Sequence, residues 1–248
     1  VSFGSVIVGL RAPGEDEEAM ALAERLSAPG HRDIIPVHVE RHHRRPSPAR
    51  ELVERAVDAD LIVLGPGRAA AEGQTAPSRT ALRVLEHAPC AVAVAPRAYG
   101  AAGPFRHIGV AYDGSGEGDA ALHAAYAIAA RDHAAVTLYW TIPDSRVAFA
   151  GMPAPELDAV AQNARRRAQD ALDAAADAAP DAVNPETVLL RGDPGRAIAE
   201  AASGVVDLLV TGSRGRGALQ RVFIGSVSEQ LLLTATQPVV VVPRGAFS

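Results

Sequence analysis

Only one cysteine, Cys90, occurs in 248 residues, so no intrachain disulfide can form. That usage suits a reducing compartment, and the cytoplasm is the expected location. Aromatic residues make up only 4% of the chain, so the core must be built from Val, Leu, Ile and Ala. No apolar run approaches the roughly 18–20 residues that a transmembrane helix needs, so no membrane role is expected. A positive excess is also lacking. The net charge of −5 argues against a general nucleic-acid binder. The opening VSFGSVIVGLRAPG has neither a basic start nor a long apolar stretch, and is expected to be a first strand rather than a signal peptide. Both common phosphate loops are missing: there is no G-x-x-x-x-G-K-[ST], and no G-x-G-x-x-G after a strand.

What is present is an alternation of short apolar runs and helical patterns. Ser5–Leu10, Asp33–Val39, Asp60–Leu64 and Ala91–Ala95 read as strands, with Pro36 favouring an edge position for the second. Helices are expected over Glu15–Leu26, from a Ser47 cap to Val57 with Pro48 and Glu51 in its first turn, and over Ser78–Glu86. RAYGAAGP, residues 97–104, reads as a linker. The pattern then restarts, with strands at Ile108–Tyr112, Ala135–Ile142, Thr187–Arg191, Val206–Val210 and Val239–Val242. Helices are expected over Glu117–Arg131, Glu156–Ala179, Pro194–Ala202 and Arg221–Ala235. Such alternation predicts a mainly parallel, doubly wound α/β sheet.

The two parts repeat one another. HAPCAVAVAP (87–96) parallels ATQPVVVVP (235–243), DADLIVLG (58–65) parallels VVDLLVTG (205–212), and SPARELVERA (47–56) parallels DPGRAIAEAA (193–202). The interval Val39–Pro48 is far shorter than its counterpart Thr141–Pro194, so the first part lacks one helix and one strand. The expected organisation is two tandem Rossmann-like domains, 1–97 and 104–248, the first truncated.

Functional chemistry concentrates in TGSRGRGALQRVFIGSVS, residues 211–228. Gly212, Gly215 and Gly225-Ser226 stand in the spacing G-x-x-G-(nine residues)-G-S, between an apolar strand and a helical pattern. Glycines let backbone N–H groups approach a ligand, and the helical portion after Gly225 offers free N–H groups, with Ser226 and Ser228 adding hydroxyls. Arg214 and Arg216 can reach phosphate oxygens. A glycine-rich connection without a ligand, with solvated arginines, is the plainer alternative. Asp113 ends a strand in VAYDGS, where it can accept from ribose hydroxyls, cap the next helix, or both.

This spacing resembles the nucleotide loop of the ATP-binding branch of the universal stress protein family. The likeness runs through residues 104–244 and covers the first part only in trimmed form. It implies ATP binding in the second domain by Ala111, Asp113, Thr141, Gly212, Ser213, Arg214, Gly215, Arg216, Gly217, Gly225, Ser226, Val227 and Ser228. Mg²⁺ would be held mainly by phosphates and water. It implies further that Thr141 reads the adenine through its backbone. Trp140 departs from the family's usual histidine and reads as core rather than as a stacking ring. Gly192-Asp193-Pro194 reads as a tight turn that starts a helix. The first domain carries Arg11 in place of Asp113, Gly65-Pro66-Gly67-Arg68 in place of Gly212–Gly215, and Ala76-Pro77 in place of Gly225-Ser226. Proline cannot donate to a phosphate, so this domain is expected not to bind. The resemblance also implies an intramolecular pseudo-dimer through the last strand of each sheet; a homodimer of whole chains stays open.

The expected activity is nucleotide-dependent sensing or signalling, with no catalytic residue assigned and no nucleophile–base pair evident around the loop. A slow ATPase or phosphotransferase, a cyclic-nucleotide module, and an interaction module without a ligand are the competing readings. RHHRR (41–45) and Arg165–Arg167 read as solvated surface, and Cys90 as core.

Overall fold

The computed structural model describes residues 3–11, 16–27, 33–38, 47–142, 144, 153–213 and 224–243. In the first half the order is β1 (Ser5–Leu10), α1 (Glu17–Leu26), β2 (Asp33–His38), α2 (Pro48–Arg55), β3 (Leu61–Leu64), α3 (Arg79–His87) and β4 (Ala91–Val94). The second half runs β5 (His107–Ala111), α4 (Gly116–Asp132), β6 (Ala135–Ile142), α5 (Ala154–Asp177), β7 (Pro185–Arg191), α6 (Pro194–Ala202), β8 (Leu208–Gly212), α7 (Ser226–Thr234) and β9 (Val239–Val242). The nine strands among the described residues form one sheet in the order β2-β1-β3-β4-β9-β8-β5-β6-β7. Every pairing is parallel except β4 with β9. Among the described residues the first half therefore repeats the second without counterparts of the β7 strand and the long α5 helix.

Local sequence explains the helix starts. Ser47, Ser78, Ser115 and Asp193 each accept a backbone N–H from the third residue after them. Such caps contribute about 1 kcal/mol each. Glu51 does not complete a reciprocal cap at α2; it pairs with Arg55 at 2.9 Å instead, one turn along the helix. Of the helix expected over Arg221–Ala235, residues 221–223 lie outside the described residues, and the described part is helical over Ser226–Thr234 with Gly225 as N-cap. Gly225 starts the helix because its carbonyl accepts the Glu229 N–H at 2.9 Å. The strand expected at Val206–Val210 is Leu208–Gly212, because Val205 and Val206 instead donate to the Ala202 carbonyl in the turn that closes α6.

Two apolar layers sandwich the sheet. One holds α1, α4 and α5 against Val6, Val8, Leu61, Val63, Ile108, Val110, Leu208 and Val210. The other holds α2, α3, α6 and α7 against Ile7, Ile62, Leu64, Leu209, Val239 and Val241. Both layers run through the junction of the halves. There Val92, Ala93 and Val94 pair with Val241, Val240 and Val239, all buried. Each strand alone would leave an unpaired apolar edge, and each supplies what the other lacks.

Side chains tie the halves as well. Arg131 in α4 donates to the Arg25, Leu26 and Ser27 carbonyls at 2.8–3.1 Å, closing the C-terminus of α1. Thr75, fully buried, donates its hydroxyl to the Leu232 carbonyl at 2.6 Å, at the C-terminal end of α7. Burial pushes the Cys90 thiol up to about 12, with the charge of Asp60 adding to it, which makes this residue core rather than a reactive thiol.

Candidate functional site

The helices after β5 and β8 lie on opposite faces of the sheet, α4 on one and α7 on the other. These adjacent strands form a topological switch point, and the crevice outside the carboxyl ends of the strands at such a point is where ligands bind open α/β sheets. Ala111 ends β5 and pairs with Thr211 on one side and Tyr139 on the other, so β5, β6 and β8 bring Ala111, Thr141 and Gly212 to the same end.

Asp113 lies in the turn that follows β5. Its Oδ1 accepts from the Ser115 backbone N–H at 3.0 Å and from the Ser115 hydroxyl at 2.6 Å. Ser115, not Asp113, caps α4, accepting the Gly118 N–H at 3.1 Å. The carboxylate is thus oriented by the cap and does not serve as the cap. Its Oδ2 has no hydrogen-bond partner among the described residues, which leaves an acceptor at the crevice. Ser115 carried the signal for this role, a serine before a first turn containing Glu117 and Asp119, and the sequence reading passed over it. Beside it, the Tyr112 hydroxyl donates to Asp119 at 2.8 Å, and its ring meets Trp140 edge-on at 5.9 Å. Burial and then the Asp119 contact push the Tyr112 phenol well up, so it stays neutral. Trp140 packs against the core as expected. Thr141 Oγ1 is buried without a hydrogen-bond partner.

The glycine loop divides into parts with different work. A Cβ on Gly212 would lie 2.7 Å from the carbonyl of Glu117, so this glycine lets β8 approach α4. Ser213 donates its N–H to the Val242 carbonyl at 2.8 Å and accepts the Gly225 N–H at 2.6 Å. The two ends of the loop are therefore fastened together. Ser228 is 2% exposed, and its hydroxyl donates to the Gly212 carbonyl at 2.6 Å. That proton is spent inside the protein, so the hydroxyl braces the loop and is not a ligand donor. Gly225 has φ −62°, a value any residue adopts. Its lack of a side chain leaves the first turn of α7 uncapped, with the N–H groups of Ser226, Val227 and Ser228 at its open end. Arg214, Gly215, Arg216 and Gly217 lie outside the described residues, as does the RHHRR cluster. Gly192, at φ 111°, makes the tight turn expected of it, and Asp193 caps α6.

In the first half the counterparts of Asp113 and of the glycine loop make their bonds within the protein, beside a cleft of about 110 Å³ lined by Gly9, Leu64, Gly65, Arg68 and Ser78. Val39, the counterpart of Thr141, lies outside the described residues. Arg11, in the position of Asp113, donates through its backbone N–H and its guanidinium to Asp16, whose carboxylate is buried. A Cβ on Gly65 would fall 2.5 Å from that carboxylate. Gly67 donates its N–H to the Ala76 carbonyl at 2.8 Å, and Arg97 clamps the Gly67 and Ala70 carbonyls at 2.7 and 2.8 Å. Ser78 caps α3 with its hydroxyl, where α7 has a bare glycine.

Comparison with known proteins decides the family. The profile of the universal stress protein family matches residues 2–96 and 104–243. The chain belongs to that family. A universal stress protein of Thermus aquaticus, from the region beside a QAH/OAS sulfhydrylase, is 35% identical over 143 residues, which are 56% of this chain and 98% of that protein. One from Mycolicibacterium smegmatis is 34% identical over 137 residues, 54% of this chain; the match spans 46% of that relative, about half its length. A structure of a functionally unknown Pseudomonas aeruginosa protein superposes with TM-score 0.69 at 16% identity, covering 98% of this chain and 93% of its own, which shows the shared fold. Among the described residues no helix is long and apolar enough to cross a membrane.

Proposed function

We propose that the second half of this universal stress protein binds an adenine nucleotide, with ATP as the ligand and Mg²⁺ held mainly by its phosphates and water. The bound state would serve sensing or signalling in a cytoplasmic stress response. The halves would act as two domains, 1–97 and 104–248, the first a partner that does not bind. One observation carries this reading: α7 opens at a glycine with no side-chain cap, while its counterpart α3 is capped by Ser78. An uncapped helix start with three N–H groups at a crevice favours an anion.

Two further groups support it. Asp113 keeps one carboxylate oxygen for ribose hydroxyls, and Thr141 carries a buried hydroxyl that lacks a partner. Ala111 and Thr141 would border the base. Ser213, Gly225, Ser226, Val227 and the backbone of Ser228 would meet the phosphates, with Arg214, Gly215, Arg216 and Gly217 completing the cradle. The test is mass spectrometry of small molecules released from the purified protein, followed by titration with Mg-ATP. An adenine nucleotide released from the parent and lost or weakened in Asp113→Ala is the expected result. No adenine nucleotide released, and no binding of added Mg-ATP, would overturn it.

A further inference from the structure

At the opposite end of the sheet from Asp113 lies a second cleft, of about 480 Å³. It sits where the linker enters β5 and where β8 and β9 begin. Arg25 at the C-terminal end of α1, Tyr99 in the linker, Arg106, Asp207 and Gln237 all line it. The cleft therefore touches both halves and the segment that joins them.

Its polar groups are unevenly satisfied. Asp207 is fully engaged: its carboxylate accepts from the Arg106 and His107 backbone N–H groups at 3.0–3.3 Å and from Arg25 at 3.2 Å. Arg25 is engaged too, bonding the Gly103 and Pro104 carbonyls and stacking 3.8 Å over the Phe105 ring. Three side chains keep donors without acceptors. Gln237 is 6% exposed; its Oε1 accepts from the Thr236 N–H and hydroxyl, and its amide Nε2 is buried with no acceptor. The Tyr99 hydroxyl accepts from Arg25 and has no acceptor for its own proton among the described residues. The Arg106 guanidinium, on an exposed residue, makes no hydrogen bond or ion pair among the described residues. Arg25 and Arg106 against Asp207 leave one positive charge. Donors without acceptors around one cleft, with a net positive charge, are the chemistry of an oxyanion site.

We propose that this cleft binds the carboxylate or phosphate group of a small molecule, with Arg106 supplying the charge and Gln237 and Tyr99 the hydrogen bonds. The site is separate from the nucleotide crevice, and its ligand would bridge the linker and both halves. The test uses the full chain, with inorganic phosphate and acetate as probes against chloride at equal ionic strength, read by thermal melting and by calorimetric titration. A saturable rise in melting midpoint with phosphate or acetate is expected, retained in Gly225→Val and weakened at least about fivefold in Arg106→Gln. The tighter probe identifies the head group. Gln237→Leu should also weaken it, and because Arg106 is exposed, Arg106→Gln stays informative if the Gln237 variant folds poorly. Binding that is unchanged in Arg106→Gln, or a rise that never saturates and follows ionic strength, would overturn the proposal.

Discussion

The loop after β3 and the loop after β8 occupy the same place in two copies of one fold, and they have taken opposite solutions to the same physical problem. Each must satisfy a helix start and a strand end at a crevice. The first half does so internally: Asp16 neutralises Arg11, Ala76 accepts the Gly67 N–H, and Ser78 caps α3. The second half leaves groups over: an Asp113 oxygen, the Thr141 hydroxyl and the first turn of α7. Polar groups already paired within the protein offer less to a ligand than groups left open. The first half has turned its loop outward to its partner instead, where Thr75 closes the far end of α7.

The comparison breaks most readily at the junction. A fragment holding residues 104–248 alone would expose β9 as an apolar edge, since β4 pairs with it in the whole chain. It should dimerise through Val239–Val242 or aggregate, as judged by sedimentation velocity. A stable monomeric fragment with normal nucleotide binding would show that the first half is not needed as a cap.

Two glycines of the same loop sharpen the contrast between ligand approach and packing. Gly225→Val adds a side chain at an ordinary φ, so the fold should persist while affinity for Mg-ATP falls by at least about tenfold, or about 1.4 kcal/mol. Gly212→Val places a Cβ 2.7 Å from the Glu117 carbonyl, and should cost about 1–3 kcal/mol of stability, seen as a lower melting midpoint. Equal behaviour of the two variants would remove the distinction.

The smallest effect concerns the crossing contact. Thr75→Val removes a buried hydroxyl that bonds the Leu232 carbonyl, and should destabilise by about 1 kcal/mol in chemical denaturation, with Thr75→Ser restoring most of it. No loss in Thr75→Val would mean that the first-half loop does not secure α7.

Much of this was legible in the sequence, and the gaps have physical causes. Ala135–Ile142 and Pro194–Ala202 match their elements end to end, because a long apolar run and an Asp-Pro cap mark their limits sharply. The pairing of the last strands was implied by the family resemblance, and the two apolar runs that each stop at a proline located the strands that make it. The site was less legible. A glycine proposed to give access to a ligand and one that lets a strand approach a helix are the same letter, so the sequence does not separate Gly225 from Gly212. The sequence alone offers the Ser228 hydroxyl as a donor to a ligand, and only the fold brings the Gly212 carbonyl within its reach. Asp16 was invisible as a partner for Arg11, since its left-handed backbone at φ 68° turns the carboxylate away from its own helix and back to the strand end.

Nucleotide stoichiometry tests the contrast between the halves most directly. Calorimetric titration of the full chain with Mg-ATP should give close to one site per chain, abolished or strongly weakened by Gly225→Val and untouched by Arg11→Ala. A value near two, or binding that survives Gly225→Val and is lost in Arg11→Ala, would contradict the assignment of the open site to the second half.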